Sequence, residues 1–588
     1  MTTREGSVIL ARALLVLMLC SLAQAQQPSS REDKSEEPKT GAITGRVVNE
    51  NGQPLANASV FLSAFGSQGQ GRRTTTDGEG NFQLVGLDAM AYLLSAASPG
   101  YITMPRDPDS SQSAYSRVGE SVRLELIKGG VITGLVSTSA DEPVVFVMVR
   151  AYMIRDSNGQ QPRMGIPFRE QTTDDRGVYR IYGLAPGTYI VSAGGGSGSF
   201  PDFNMNAYDT DTPTYAPSSP RDAAAEINVR AGEETGSVDI RYRGDLGHIV
   251  SGSASGSAAS GDSSFFMRLT SLSKLAGQMS ISSFQPPGER GFVFFGVADG
   301  DYDLTAQIFF PGGEINFSEP RRIKVKGSDV TGIELVTKPL GTVLGRIALV
   351  ESKTPDCKGK RRPLFAETVV SAWHNEKDST KDQPQFVWGF GAPTLPDKQG
   401  NFTLRNLAPG QYSFRTRPFA KYWYLQSISL QPAVAPAATA AAASRAVDAA
   451  RNWTVVKSGE RVSVLILTLS EGAASFHGQI KLVEGQKPPL RLFVYLVPAE
   501  REKADDVLRF FASQVAADGA FAMNNLPPGR YWAIVKAARE NESSVLTKLR
   551  LPDESEARGN LRREAEAAKT EIELKPCQNM VDYKLTLN

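Results

Sequence analysis

The stretch TTDDRGVYRIYGLAPGTY, Thr172–Tyr189, decides the reading of this chain because it recurs. It returns as DKQGNFTLRNLAPGQY at Asp397–Tyr412 and as ADGAFAMNNLPPGRY at Ala517–Tyr531. Looser copies are TDGEGNFQLVGLDAMAY at Thr76–Tyr92 and GERGFVFFGVADGDY at Gly288–Tyr302. Each copy reads as a tight turn, a strand of alternating apolar and polar residues, a second turn and a strand opening on Tyr. A unit repeated along a chain calls for a string of similar modules, and it moves the functional question from an active site to a binding surface.

Upstream of each copy lies a Gly-flanked opening strand: GAITGRVV from Gly41, GGVITGLVS from Gly129, GHIVSGSAS from Gly247, GTVLGRIAL from Gly341 and ASFHGQIKL from Ala474. Gly45, Gly134, Gly252, Gly345 and Gly478 fall at matching places, and a Gly inside a strand marks a bulge or a close backbone approach. A second strand follows in each unit, with period-two patterning clear in NASVFLSAF, VVFVMVRAY and LRLFVYLV. In the turns, Asp77-Gly78, Asp397 to Gly400 and Asp518-Gly519 read as hairpin turns, and Pro186-Gly187, Pro409-Gly410 and Pro528-Gly529 as turns with Gly at positive φ. The Tyr after each second turn (Tyr189, Tyr302, Tyr412, Tyr531) fits a tyrosine corner, its ring packed and its hydroxyl tied back to the backbone.

The expected architecture is all-β: five tandem prealbumin-like, Ig-like Greek-key β-sandwiches with short helical insertions. The boundaries are 41–128, 129–245 with a long loop at 194–220, 246–339, 340–470 with an Ala-rich insertion at 432–451, and 471–588 with a helical insertion at 553–569. Linkers of a few residues place the modules end to end with restricted freedom.

Residues 1–25 read as a signal peptide: Arg4 and Arg12, an apolar run Ala13–Leu22, then Ala23-Gln24-Ala25 as the cleavage site. A polar linker, 26–40, follows. Leu19 stands where a lipoprotein box needs a small residue before Cys20. No later run is long and apolar enough to span a bilayer, so the mature chain is expected in the periplasm, at the cell surface or secreted. A net charge of +1 gives no argument for nucleic acid. Beyond Cys20 only Cys357 and Cys577 remain, which is no disulfide framework and no metal knuckle. They are expected to be free or separately buried rather than bonded to each other.

The combination T-D-x-x-G-x-F/Y … L-x-P-G-x-Y with a G-x-I/V-x-G-x-V opening resembles the carboxypeptidase regulatory-like domain family. The resemblance covers most of Gly41–Asn588; the first unit departs from it with Asp88-Ala89 and the third with Asp299-Gly300 in place of Pro-Gly. It implies a prealbumin-like sandwich used for binding or scaffolding outside the cytoplasm in bacteria. It does not imply peptidase activity, because the zinc peptidase domain that such units accompany is absent from this sequence.

Catalytic signals are missing. His248, His374 and His477 fall in three different units, and no zinc, phosphate-loop or nucleophile-elbow spacing occurs. The chain is therefore expected to be non-enzymatic, without cofactor or metal, and monomeric. The Asp-rich turns hold hard oxygen ligands, but a single turn supplies too few for calcium. The most suggestive cluster is in the fourth unit, where Trp373, Trp388, Phe390, Tyr422, Trp423 and Tyr424 gather. Three adjacent aromatics on one strand cannot all face inward. Two readings stay open: a platform that stacks on a carbohydrate ligand, or apolar surface covered by a neighbouring module. The partner is accordingly a carbohydrate or, alternatively, an envelope protein bound by an adhesive or structural scaffold.

Overall fold

The computed structural model describes residues 41–588 except 66–70, 104–114, 158, 160–167, 196–206, 257–262, 273–279, 311–312, 376–390, 392, 418–419, 432–445, 482–491, 517–518, 538–548 and 587–588. The signal-peptide reading and the 26–40 linker lie outside these residues. Thr40–Asn588 forms one compact unit, and within it each repeat contributes its own sheets and apolar core.

The same three strands organise every repeat. The opening strands are Gly41–Asn49, Gly130–Ser137, His248–Gly256, Gly341–Val350 and Ala474–Lys481. On one side each pairs antiparallel with the strand between the two turns: Asn81–Leu87, Val178–Leu184, Gly291–Val297, Asn401–Leu407 and Ala520–Leu526. On the other side it pairs parallel with the repeat's closing strand: Ser121–Lys128, Glu234–Thr235 continued by Ile240–Arg241, Val330–Pro339, Arg461–Glu471 and Asn579–Thr586. A second sheet faces this one in repeats 1, 2, 4 and 5. In repeat 3 the two sheets run together into eight strands, because Ile315–Ser318 pairs with both Gly300–Phe309 and Val330–Pro339.

Period-two alternation drives the layers together. In Asn81–Leu87 the inward residues Phe82, Leu84 and Leu87 are buried while Asn81, Gln83 and Val85 are exposed. Phe402, Leu404 and Leu407 do the same in repeat 4, and Phe521, Met523 and Leu526 in repeat 5. Burying a side chain of this size is worth about 1.5–3 kcal/mol.

The opening-strand glycines are places of close approach. A Cβ on Gly45 would sit 2.2 Å from the Val122 carbonyl oxygen and 2.5 Å from Phe82 Cζ; on Gly478, 2.0 Å from the Tyr583 carbonyl oxygen. The corner tyrosines are also as expected. Tyr189, Tyr302, Tyr412 and Tyr531 are buried, and each hydroxyl donates to the carbonyl four residues back, at 2.7–2.8 Å. Tyr92 adds a fifth, donating to Asp88 at 2.9 Å.

Three expectations are corrected. Gly187 has no positive φ, whereas Gly410 and Gly529 keep the expected positive φ, at 153° and 145°. The left-handed residue lies three positions before each Pro, at Gly183, Asn406 and Asn525. The loop at 194–220 is not wholly a surface loop: Thr214–Tyr215 adds a short strand to the second sheet of repeat 2, and both residues are buried. Cys357 and Cys577 are bonded to each other. Their 220-residue separation hid the pairing, because closeness across a joint between repeats leaves no mark in spacing.

The helical insertion of repeat 5 is the α-helix Ser555–Ala567. It lays Leu561 and Ala565 on the outer face of the second sheet, against Tyr495 and Val497. Its Arg558, 1% exposed, donates to the Leu549 and Leu551 carbonyls and pairs with Asp505 at 2.8 Å.

Candidate functional site

The aromatic cluster of repeat 4 divides when its strands are traced. Val370 points into the core, and the strand Val369–His374 runs antiparallel to Gly410–Arg417 with Ser371 opposite Arg415 and Trp373 opposite Ser413. Trp373 is therefore on the outer face, half-buried, with the Arg415 guanidinium 4.0 Å above its ring. A cation over an indole face is itself an attractive contact, so one face of Trp373 is occupied.

Trp423 goes the other way. It is 0% exposed and belongs to the repeat 4 core, and its indole N–H has no hydrogen-bond partner among the described residues. Its place on an outward platform is corrected: in this conformation the ring meets only protein. The three-in-a-row argument fails at its first member. Tyr422 lies in the turn before the strand Trp423–Leu430, so alternation governs only Trp423 and Tyr424. Tyr422 and Tyr424 are half-buried, and Lys360 and Lys421 place their ammonium groups 4.5 Å and 5.7 Å from the Tyr422 ring. Trp388 and Phe390 lie outside the described residues. The structure thus places Trp423 and Tyr424 on one sheet of repeat 4 and Trp373 on the other.

A shallow groove of about 430 Å³ does open on the outer face of repeat 4, lined by residues including Leu344, Arg346, Asn401, Thr403, Gln431 and Val464. None of the four described aromatic residues, Trp373, Tyr422, Trp423 and Tyr424, lines it. Among the described residues no group of three His, Cys, Asp or Glu could hold a metal ion. The Asp-rich turns explain their own carboxylates. Asp77 accepts the N–H of Glu79 and Asn81, Asp174 those of Arg176 and Val178, and Asp397 those of Gln399 and Asn401, at 2.8–3.0 Å. The backbone N–H four residues on holds each of these carboxyls below the usual carboxylate range.

What sequence reading missed is the joint between repeats 4 and 5. The Cys357–Cys577 disulfide crosses it. The N–H groups of Gly472 and Ala473 donate to the Tyr422 carbonyl at 2.8 and 2.9 Å. Asn525 donates to the carbonyls of Ala420 and Trp423 at 2.8 and 2.7 Å. Leu508 of repeat 5 packs on the core of repeat 4. Contacts are not confined to sequence neighbours either: Glu367 of repeat 4, 2% exposed, takes an ion pair from Arg361 at 2.8 Å and lies 3.9 Å from Arg117 of repeat 1. No helix among the described residues is long and apolar enough to cross a membrane.

Comparison with known proteins gives a match within repeat 1. Residues 42–108 match the family model of the carboxypeptidase regulatory-like domain. No curated protein matches the chain. Among solved structures the chain is similar to the Bacillus anthracis TIE protein, at 15% identity and TM-score 0.14 over 51% of each chain. It is also similar to GBS52, the minor pilin of Streptococcus agalactiae, at 15% identity and TM-score 0.19 over 34% of this chain and 96% of the pilin. A third is BcpA, the major pilin subunit of Bacillus cereus, at 11% identity and TM-score 0.13 over 51% of this chain and 99% of the pilin. The chain spans about half the length of the TIE protein. Scores this low leave the all-β assignment resting on the sheets themselves.

Proposed function

We propose that this chain is a non-catalytic structural or adhesive scaffold that works outside the cytoplasm and presents its repeats to a protein partner of the cell envelope. The observation that carries the reading is the disulfide between Cys357 and Cys577. Such bonds form and persist in oxidising compartments, which agrees with the signal-peptide reading of residues 1–25. A crosslink between two repeats fixes one against the other, which a scaffold needs and a hinge-closing binding site does not. Cys357 and Cys577 are 1% and 9% exposed, so the crosslink is shielded from reductants.

Carbohydrate binding remains the second reading, on the half-exposed ring of Trp373. One experiment separates the two. The chain recovered from an extracytoplasmic fraction is labelled at its thiols with and without reductant, then passed over insoluble polysaccharides. The scaffold reading expects labelling only after reduction and no retention. Retention that disappears in Trp373→Ala would replace it with carbohydrate binding.

A further inference from the structure

In every repeat, the residue before the Leu or Val that leads into the second turn has a positive φ: Gly86 66°, Gly183 71°, Gly296 66°, Asn406 57° and Asn525 58°. The opening strand slips register opposite this residue in all five repeats. That is the pattern of a β-bulge with a residue in the left-handed region. Glycine enters this region freely, and asparagine is one of the few others that visit it routinely. For the bulge itself the two residues are equivalent. They differ in what projects from it.

Asn406 Oδ1 accepts the Ile315 N–H at 3.0 Å, and its Nδ2 donates to the Gly313 carbonyl at 3.0 Å. Asn525 Nδ2 donates to the Ala420 and Trp423 carbonyls. Both partners are backbone of the preceding repeat, at the start of the strand that pairs with its closing strand: Ile315–Ser318 in repeat 3 and Trp423–Leu430 in repeat 4. Repeat 1 has the same strand, Tyr101–Thr103, paired with Ser121–Lys128, and repeat 2 sets its bulge against it. A Cβ on Gly183 would lie 3.7 Å from Ile102 Cγ2. Here the residue is Gly, and no side chain crosses. The joint between repeats 2 and 3 is built otherwise, with the Gly247 N–H donating to the Thr210 carbonyl at 2.9 Å.

We propose that Asn406 and Asn525 are inter-repeat latches: one docking surface serves three joints, and Asn in place of Gly at the bulge fastens the last two of them. A carboxamide suits the task because it offers both donors and an acceptor to backbone groups that a sheet end leaves unpaired. The inference goes beyond the scaffold reading and stands whether the ligand is a protein or a carbohydrate.

The test is hydrogen exchange on the full chain. Asn406→Gly keeps the bulge, since Gly occupies it in repeats 1 to 3, and removes only the carboxamide. The Ile315 amide should then exchange roughly tenfold faster, while the amides of Asn401–Leu407 keep their rates. Asn406→Asp retains the acceptor and should keep Ile315 protected. At the second latch, Asn525→Asp sets a carboxylate against two carbonyls and should speed exchange of the Gly472 and Ala473 amides more than Asn525→Gly does. An unchanged Ile315 amide in Asn406→Gly, equal acceleration across Asn401–Leu407, or the reverse order at Asn525 would overturn the proposal.

Discussion

The joint between repeats 4 and 5 and the joint between repeats 2 and 3 solve one problem with different chemistry. The first brings together a disulfide, a side-chain latch and an apolar residue seated on a neighbour's core. The second is backbone bonded to backbone beside Leu246, which is 78% exposed. Backbone bonds close a joint, but each is worth only about 0.5–1.5 kcal/mol net, because water competes for the same groups. Covalent closure and buried apolar surface have no such competitor. The C-terminal pair is therefore expected to behave as one block and the middle joint as the weaker seam.

The largest effect should come from Trp423→Ala. It empties a fully buried indole site whose carbonyl is also the Asn525 acceptor. The loss expected is about 3–5 kcal/mol, read as a lowered melting transition of repeats 4 and 5 together. A melting curve unchanged from the parent would show that Trp423 is not part of the block. Next is the double variant Cys357→Ser, Cys577→Ser, expected to cost about 2–4 kcal/mol. Guanidinium denaturation should split a joint transition of repeats 4 and 5 into two, and reductant should then make no further difference. Coincident transitions would mean that Asn525 and Leu508 suffice.

Acid sharpens the contrast between repeats 3 and 4. Asp397 is held below its ordinary range in the folded chain by the Asn401 N–H, whereas the equivalent turn of repeat 3 has Glu289, whose backbone N–H donates to the Pro286 carbonyl. A depressed folded value means that the contribution is complete above the unfolded value. It is lost as pH falls through the folded value. Stability of repeat 4 should therefore drop below about pH 4, and Asp397→Asn should flatten that drop; an equal acid response in the variant would assign it elsewhere. The smallest effect is expected from Leu246→Ala, within about 0.5 kcal/mol. A larger loss in denaturant titration would mean that the middle joint buries more than it shows.

What could be read from the sequence was local. Turn, alternating strand and corner tyrosine lie within twenty residues of one another, so Tyr531 and its bond to Pro527 follow from the motif alone. The helix Ser555–Ala567 was equally legible, since it lies inside the helical insertion read at 553–569. What could not be read depends on distant segments meeting. The partner of Cys577, the inward turn of Trp423 and the reach of Asn406 all depend on where the preceding or following repeat sits. Asn525 did carry a signal: Asn stands where three other copies have Gly, and the exchange makes sense only once φ is known.

The opening-strand glycines also bear on timing. Gly45 lies against the carbonyl of Val122 and Gly478 against that of Tyr583, so the first strand of each repeat finds its parallel neighbour only when the last has emerged. No repeat can complete itself from its N-terminal part, and its pairings are of the long-range kind that form slowly. A chain emerging N-terminus first must keep each half-made repeat open until its end arrives. The Cys357–Cys577 bond must wait for the fifth repeat, because Cys577 lies just before that repeat's closing strand, Asn579–Thr586.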